Sequence, residues 1–268
     1  MTIPMAVLWA VLASSGMLLL LSVTQAMRPG AATDLVNIQG CMAVAFLSAI
    51  FLMGRVHANL HTLRDLLGIR HSHPLLHVLA APLGVALTIP AEIMHRAIER
   101  KWPTPPEQVL DQLAAFRMDT RLRTILIPFV VIAVGPLVEE LFFRGALHRG
   151  LRRLHSDSIA VPVVALLFSA AHIDVRAAAP LFVLGLFLGL LRAGSGSLLP
   201  ALIAHMAFNA VGIFELLRGQ PNPEADTAPL PLGWSIGGIA ATLVLTAAFV
   251  YTARRSNRAR LAREEDSQ

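Results

Sequence analysis

The stretch Ile132–Gly150 has the sequence IAVGPLVEELFFRGALHRG and places three charged side chains, Glu139, Glu140 and Arg144, inside an otherwise apolar run. A carboxylate at the centre of a lipid bilayer costs about 2.5–3.5 kcal/mol on insertion scales. Two adjacent carboxylates at that cost indicate a function, and ionisable groups in membrane helices usually face the interior of a helix bundle. The stretch therefore predicts a membrane helix that carries a polar site.

The whole chain has the composition of a membrane protein. Of its 268 residues, 55% are hydrophobic and only 15% are charged, and the mean hydropathy is +0.64. Apolar runs of about 20 residues, enough for a helix to cross a hydrocarbon core of about 30 Å, recur along the chain. Because these runs leave no room for a large soluble domain, we predict an all-α polytopic membrane protein with about eight transmembrane helices in one bundle.

The predicted spans divide the chain into three parts. The eight spans are 3–26, 35–54, 75–94, 124–148, 158–173, 178–191, 198–217 and 232–252. Residues 1–123 are predicted to form three transmembrane helices and an amphipathic connector, residues 124–217 a core of four helices, and residues 218–268 the last helix and a basic tail. The first span lacks a basic leader and is longer than the apolar region of a usual signal peptide, so we expect an uncleaved helix.

Two connectors and one helix face carry further patterns. Residues 103–118, PTPPEQVLDQLAAFRM, predict a proline-led amphipathic helix that lies at the membrane interface or packs as a lid. Residues 55–74 contain four histidines, which could bind a metal, although we expect a solvated connector. Gly185 and Gly189, four residues apart, predict the close approach of a neighbouring helix.

Basic residues set the expected orientation. With the amino terminus inside, twelve arginines fall inside and nine Lys or Arg residues fall outside, six of them between Arg96 and Arg123. The positive-inside rule therefore predicts that both termini are cytoplasmic, in a multi-pass protein of the bacterial inner or plasma membrane. Because the membrane explains the basic charge, we predict a lipid bilayer as partner and no nucleic acid.

The charged stretch has the geometry of a water-activating site. On a helix, Glu140 and Arg144 are four residues apart and share a face, so they can form an ion pair, whereas Glu139 lies nearly 100° around the axis. Two crowded carboxylates in a medium of low dielectric cannot both ionise at their usual pKa. One glutamate is thus predicted to be held and the other to be free to act as a general base.

Two later spans add imidazole and amide groups at the same spacing. One span ends with Phe168–Ser–Ala–Ala–His172, and another contains His205–Met–Ala–Phe–Asn209. Together with the glutamates they could activate water, orient it and hold the oxyanion of an attacked carbonyl. Glu139, His172 and His205 could instead bind Zn²⁺ with an open fourth position. The HExxH motif is absent, and the single cysteine, Cys41, excludes a zinc site built from several cysteines.

The motifs EELFFR, FSAAH and HMAFN resemble the EExxxR, FxxxH and HxxxN signatures of the CPBP (CAAX protease and bacteriocin-processing, or Abi) family of intramembrane endopeptidases, which includes type II CAAX prenyl proteases. The resemblance implies an eight-helix bundle that encloses a polar cavity open toward the cytoplasm. It further implies that Glu139 activates water with help from His172, that His205 and Asn209 form an oxyanion hole, and that Glu140, Arg144 and Phe168 support the site.

The sequence thus predicts a membrane protease that needs no cofactor and takes a peptide or protein substrate at the membrane. A zinc-dependent protease using the same residues is the alternative mechanism. Two other functions use the same motifs differently. Buried glutamates and histidines also serve as relays in proton- or ion-coupled transporters, and a non-catalytic immunity or interaction protein would need the fold without the chemistry.

Overall fold

The computed structural model describes residues 1–57, 68, 70–218 and 228–266, and these residues form helices with no β-strand. Within this part of the chain there are nine helices: α1 Ile3–Met27, α2 Leu35–His57, α3 Pro74–Lys101, α4 Pro106–Ala115, α5 Arg121–Leu151, α6 Asp157–Ala171, α7 Val175–Ser195, α8 Leu199–Arg218 and α9 Leu232–Asp266. The all-α prediction is confirmed.

Seven of these helices are long and apolar enough to cross a membrane, namely all except α4 and α6. Their outer faces expose large apolar side chains that water would not tolerate in such numbers; examples are Leu19, Val78, Ile125 and Val244, each more than 60% exposed. The polytopic membrane bundle is therefore confirmed. Helix α6 is apolar but has 15 residues, so it extends only about 22 Å and ends within the depth of the bundle.

Both ends of the described chain lie at one face of the bundle, which we call the terminal face. The amino group of Met1 donates a hydrogen bond to the Gly150 carbonyl at the end of α5 (3.0 Å), and Asn257 Nδ2 donates to the Gly194 carbonyl at the end of α7 (3.3 Å). Helix α6 starts at this face and runs away from it, so His172, which follows its last residue, lies toward the opposite face.

Small residues allow the helices that carry the polar groups to approach each other closely. Helix α6 packs along α7, and α8 packs along α3. A Cβ atom on Gly185 would lie 3.0 Å from the Cα of Ala165, and one on Gly84 would overlap the carbonyl oxygen of Ala204. A side chain at Gly84 would force the two backbones apart and one at Gly185 would be tight, so these contacts set the close spacing of α3 with α8 and of α6 with α7.

Most predicted boundaries agree with the helices to within a few residues, and the exceptions are extensions. Helix α3 continues to Lys101, so residues 96–101 are helical and do not belong to a connector. Helix α9 continues to Asp266, so the tail that was expected to be a solvated end is largely helical. The division at residues 123 and 217 stays a prediction.

The predicted amphipathic helix of the connector is present as α4, and Arg176 donates to the Gln108 side chain (3.3 Å) and to the Trp102 carbonyl (3.1 Å).

The histidines of the connector at residues 55–74 have separate roles. His57 Nε2 accepts from Trp9 Nε1, and His73 Nδ1 accepts from the backbone of α3, whereas His61 lies outside the described residues.

Candidate active site

Helix α5 changes its winding on both sides of the two glutamates. Residues Val130–Val134 and Leu141–Leu147 are π-helical, and the α-helical turn Gly135–Glu140 lies between them. Such π-helical turns are rare and are frequently found at functional sites, because they shift side chains around the axis and change which carbonyls are hydrogen-bonded. The glutamates are therefore placed by a local distortion of the helix that carries them.

Glu140 is fully buried and is held by two cationic or hydrogen-bonding groups. Its Oε1 lies 2.8 Å from Arg144 Nη1 and 3.0 Å from His205 Nδ1. Arg144, also fully buried, donates from Nη2 to the Gly185 carbonyl (3.1 Å), and its guanidinium lies 4.5 Å from the ring centroid of Phe168. A buried carboxylate and guanidinium need such partners to remain charged away from water. Glu140 and Arg144 thus join α5 to α7 and α8.

Glu139 is in a different environment from its neighbour. Its side chain is 12% exposed, whereas that of Glu140 is 0% exposed. Glu139 Oε2 lies 3.7 Å from His205 Nε2, and within the described residues its carboxylate makes no hydrogen bond. The carboxylate that is close to an imidazole and still accessible is therefore Glu139, which is the arrangement that the sequence predicted for a general base.

The hydrogen bond to Glu140 fixes the proton on one nitrogen of His205. A carboxylate only accepts, so Nδ1 of His205 carries hydrogen and Nε2 is the nitrogen that faces Glu139. In the neutral ring Nε2 is an acceptor, and in the imidazolium it is a donor. His205 can therefore donate to an oxyanion from Nε2 only in its protonated form.

His172 is connected to the other site residues by its contact with the ring of Phe168. Its Nδ1 donates to the Phe168 carbonyl (2.9 Å), which leaves Nε2 as an acceptor, and the ring is exposed at the end of α6. The ring centroid of Phe168 lies 4.8 Å from that of His172 and 5.8 Å from that of His205. Phe168 therefore contacts both imidazoles and connects the second motif to the third.

Asn209 lies one turn beyond His205 on α8 and bonds to the distorted part of α5. Its Nδ2 donates to the Val131 carbonyl (2.9 Å), which belongs to the first π-helical turn. One amide hydrogen is thus used to hold α8 against α5, and the other amide hydrogen remains for a ligand. The structure brings Glu139, Glu140, Arg144 and His205 into direct proximity, His172 through Phe168, and Asn209 through the backbone of α5.

A cavity of about 790 Å³ lies among α3, α7 and α8; its described lining includes Phe208, which precedes Asn209, but none of the predicted catalytic residues. It is lined by apolar residues such as Leu181, Phe208 and Val211 and by charged residues such as Glu92 and Glu215. Phe208 and Leu181 also pack against the main apolar core. Since Arg96, Ala177 and Arg218 line it as well, the cavity lies toward the face opposite the terminal face. Its mixed lining suits an extended peptide with apolar side chains.

The alternative zinc ligands were tested against this geometry. Among the described residues, no three His, Cys, Asp or Glu side chains lie close enough together to hold a metal ion. The ring of Phe168 packs against both His172 and His205, and Nδ1 of His205 is engaged by Glu140. Within the described residues, Glu139, His172 and His205 therefore do not form a three-ligand site for zinc.

Comparison with known proteins bears on the same part of the chain. Residues 121–211 match a family model described as "Rce1-like: Type II CAAX prenyl endopeptidase Rce1-like". Over this segment the chain is similar to the Rce1-like type II CAAX prenyl endopeptidases. No curated protein and no solved structure matches the chain. The matched segment runs from α5 into α8 and contains all three motifs, so the predicted family is confirmed.

The match to the Rce1-like family supports an intramembrane endopeptidase of the CAAX type, and therefore a peptide or protein substrate at the membrane. The spans of the helices make the protein an integral, multi-pass membrane protein. The individual roles of Glu139, His172, His205 and Asn209, and the choice between a glutamate and a metal mechanism, stay predictions.

Sequence reasoning missed three backbone features of this Rce1-like core. The Gly185 carbonyl accepts from Arg144, although the glycine spacing indicated helix packing alone. The Val131 carbonyl accepts from Asn209, and no sequence signal marked the π-helical turn. The contact between Gly84 and Ala204 brings α3 against α8 one residue before His205; the isolated glycine in an apolar helix was its only sequence signal.

Proposed function

We propose that the protein hydrolyses a peptide bond of a membrane-associated protein or peptide by means of water activated by Glu139. This proposal rests on the different environments of the two adjacent glutamates. Glu140 is fully buried and bound to Arg144 and His205, whereas Glu139 is accessible and makes no hydrogen bond within the described residues. A general base needs this combination of proximity to an imidazole and access to water.

The proposed reaction uses each group once. Glu139 accepts a proton from water, and the oxygen attacks the carbonyl carbon of the substrate, giving a tetrahedral oxyanion. His172 orients the water through its unprotonated Nε2, and protonated His205 and the free amide hydrogen of Asn209 donate to the oxyanion. When the C–N bond breaks, the leaving amine takes the proton from Glu139, so the carboxylate is regenerated.

The supporting groups keep this arrangement rigid. Arg144 holds the Glu140 carboxylate in an ion pair, so the Glu139 carboxylate is the one left to accept the proton of the water. Phe168 contacts both imidazoles with its ring, and the buried position of the site limits competing water. The name of the matched family suggests a substrate with a prenylated C-terminal CAAX sequence, and the apolar part of the 790 Å³ cavity is consistent with such a ligand.

The experiment is a cleavage assay with the purified full chain in proteoliposomes and a fluorogenic peptide carrying a farnesylated CAAX sequence. We expect cleavage by the wild type and loss of at least two orders of magnitude for Glu139→Ala, with insertion unchanged. Glu107→Ala, on the exposed helix α4, is the matched control. Retained cleavage by Glu139→Ala would reject the proposal.

The same preparation separates the alternatives. Loss of cleavage on treatment with a zinc chelator, restored by Zn²⁺, would favour the metal mechanism. Ion or proton flux without cleavage of any tested peptide would favour a transporter. An unchanged cellular phenotype in the Glu139, His172 and His205 variants would favour a non-catalytic interaction protein.

A further inference from the structure

A second polar cavity lies at the terminal face, away from the catalytic groups. It has a volume of about 250 Å³ and is lined by four arginines, one histidine and one aspartate, together with Ala193 and Gly196; the charged or ionisable residues are Arg70, Arg149, Arg152, Arg192, His148 and Asp157. Apart from Arg149, which makes contacts of its own, the described lining residues contribute three guanidinium groups and one carboxylate, a formal excess of positive charge. Like charges this close repel each other unless an anion lies among them.

The walls of this cavity are fixed by the fold. Arg192 is only 6% exposed, its Nε donates to the Arg144 carbonyl (3.1 Å), and it packs against Gly68, where a side chain would not fit. Arg152 Nε lies 2.8 Å from Asp157 Oδ1, and the Arg70 carbonyl accepts from Ser197 Oγ (2.6 Å). Residues from α5, α6, α7 and the segment before α3 therefore meet at one position.

A buried side chain in this wall lacks its hydrogen bonds. His148 is 3% exposed, and neither ring nitrogen makes a hydrogen bond within the described residues, although Nε2 lies 3.2 Å from Asp157 Oδ1. His148 is thus buried although it is the last residue of the predicted span 124–148. Its Nδ1 has no partner within the described residues, and a buried polar atom without a hydrogen bond costs free energy that a ligand in the cavity would recover.

We propose that this cavity binds a phosphate group. Guanidinium groups recognise phosphate oxygens with paired, charge-assisted hydrogen bonds, so a phosphate would offset the excess charge and give His148 a partner. The cavity lies where α5 ends, α6 begins and α7 ends, which is the level of lipid headgroups in a spanning bundle. Basic pockets between transmembrane helices at this level bind anionic headgroups, so the geometry favours the phosphate of an anionic phospholipid over free phosphate.

The test uses the detergent-purified full chain, with phosphatidylglycerol, phosphatidylcholine and inorganic phosphate as probes. Native mass spectrometry measures lipid retention, and thermal unfolding measures stabilisation by each probe. We expect phosphatidylglycerol to be retained over phosphatidylcholine. We expect Arg70→Gln with Arg152→Gln to weaken retention about tenfold or more, and Asp157→Asn to strengthen it several-fold, because Asp157 competes with the ligand for Arg152.

The matched control removes two charges from the same face but outside the cavity, Arg254→Gln with Arg258→Gln, and should leave retention unchanged. Equal loss in the control and the cavity variants would overturn the proposal, because retention would then depend on net charge alone. Weaker retention in Asp157→Asn would also overturn it. Stabilisation by inorganic phosphate that phosphatidylglycerol does not displace would support the phosphate site and assign its ligand to the soluble source.

Discussion

Oε1 of Glu140 lies 3.0 Å from Nδ1 of His205, a residue 65 positions later in the chain and on a different helix. The same oxygen lies 2.8 Å from Arg144 Nη1, so one buried carboxylate connects two motifs that the sequence separates. Because this contact engages Nδ1 of His205, the Nε2 edge of the ring faces Glu139. The two glutamates of the EELFFR motif therefore have different structural roles, and the first prediction separates them.

Glu139→Gln is expected to affect cleavage, whereas Glu140→Gln is expected to affect stability. Glu139→Gln should abolish cleavage and leave the midpoint of thermal unfolding in detergent nearly unchanged, because the contact of Glu139 with another helix, Oε2 to His205 Nε2 at 3.7 Å, is longer than a hydrogen bond. Glu140→Gln should lower the free energy of unfolding by about 3–5 kcal/mol, because it leaves the Arg144 charge buried without its partner. A Glu139→Gln variant that unfolds as early as Glu140→Gln would contradict this division.

Arg144→Lys should destabilise the protein even though it preserves the charge. Arginine donates to both Glu140 and the Gly185 carbonyl and covers the Phe168 ring, and lysine cannot reproduce that planar geometry. We expect a lower unfolding midpoint and reduced cleavage. The exposed Arg153, which donates to the His57 carbonyl, provides the control. Arg153→Lys should change neither quantity, and equal effects of both substitutions would contradict the prediction.

Gly84→Ala tests whether the close contact between α3 and α8 positions His205. The added methyl group would overlap the Ala204 carbonyl, so α8 must move or the helix pair must separate, at a cost of about 1–3 kcal/mol. We expect reduced cleavage and a lower unfolding midpoint. Gly40→Ala, where a side chain meets nothing within 4 Å, is the matched control and should be neutral. Full activity in Gly84→Ala would show that this contact is not needed.

Asp34 provides a prediction about pH outside the spans. Burial raises the pKa of its carboxyl, but the hydrogen bond from Arg28 and the charges of Arg123 and Arg28 outweigh burial, so the pKa falls below its ordinary value of 3.8. Because the folded pKa is depressed, this stabilisation is complete above that value and is lost as pH falls through the folded pKa. Asp34→Asn should lower stability at neutral pH and flatten the acid dependence measured by thermal unfolding. An acid dependence identical to that of the wild type would contradict this.

The contacts of Met1 and Asn257 predict that both termini lie on one side of the membrane, opposite Asp174. In a Cys41→Ala background, cysteines at Thr2 and Arg258 should react with a membrane-impermeant reagent from one side, and a cysteine at Asp174 from the other. The positive-inside rule assigns the termini to the cytoplasm. The 790 Å³ cavity would then open away from the cytoplasm, contrary to what the family resemblance implied. Labelling of Thr2 and Arg258 from opposite sides would contradict the fold.

The motifs could be found in the sequence because each uses the spacing of a single helix. Glu140 and Arg144, Phe168 and His172, and His205 and Asn209 are each four residues apart, and a helix places such pairs on one face whatever surrounds it. Hydropathy similarly predicted the apolar helices and their approximate ends, although one of the eight predicted spans, α6, is too short to count among the seven helices that can cross the membrane.

Only the tertiary structure decided how these pairs meet. The π-helical turns of α5, the glycine contacts between helices and the ring of Phe168 arise from packing between segments far apart in the chain, which no local spacing encodes. The same holds for the arginine cavity at the terminal face, whose residues come from four segments and seemed to be ordinary connector charges. Local periodicity is a property of one helix, whereas a site between helices depends on their mutual distance and rotation, and these are set by side-chain packing throughout the bundle.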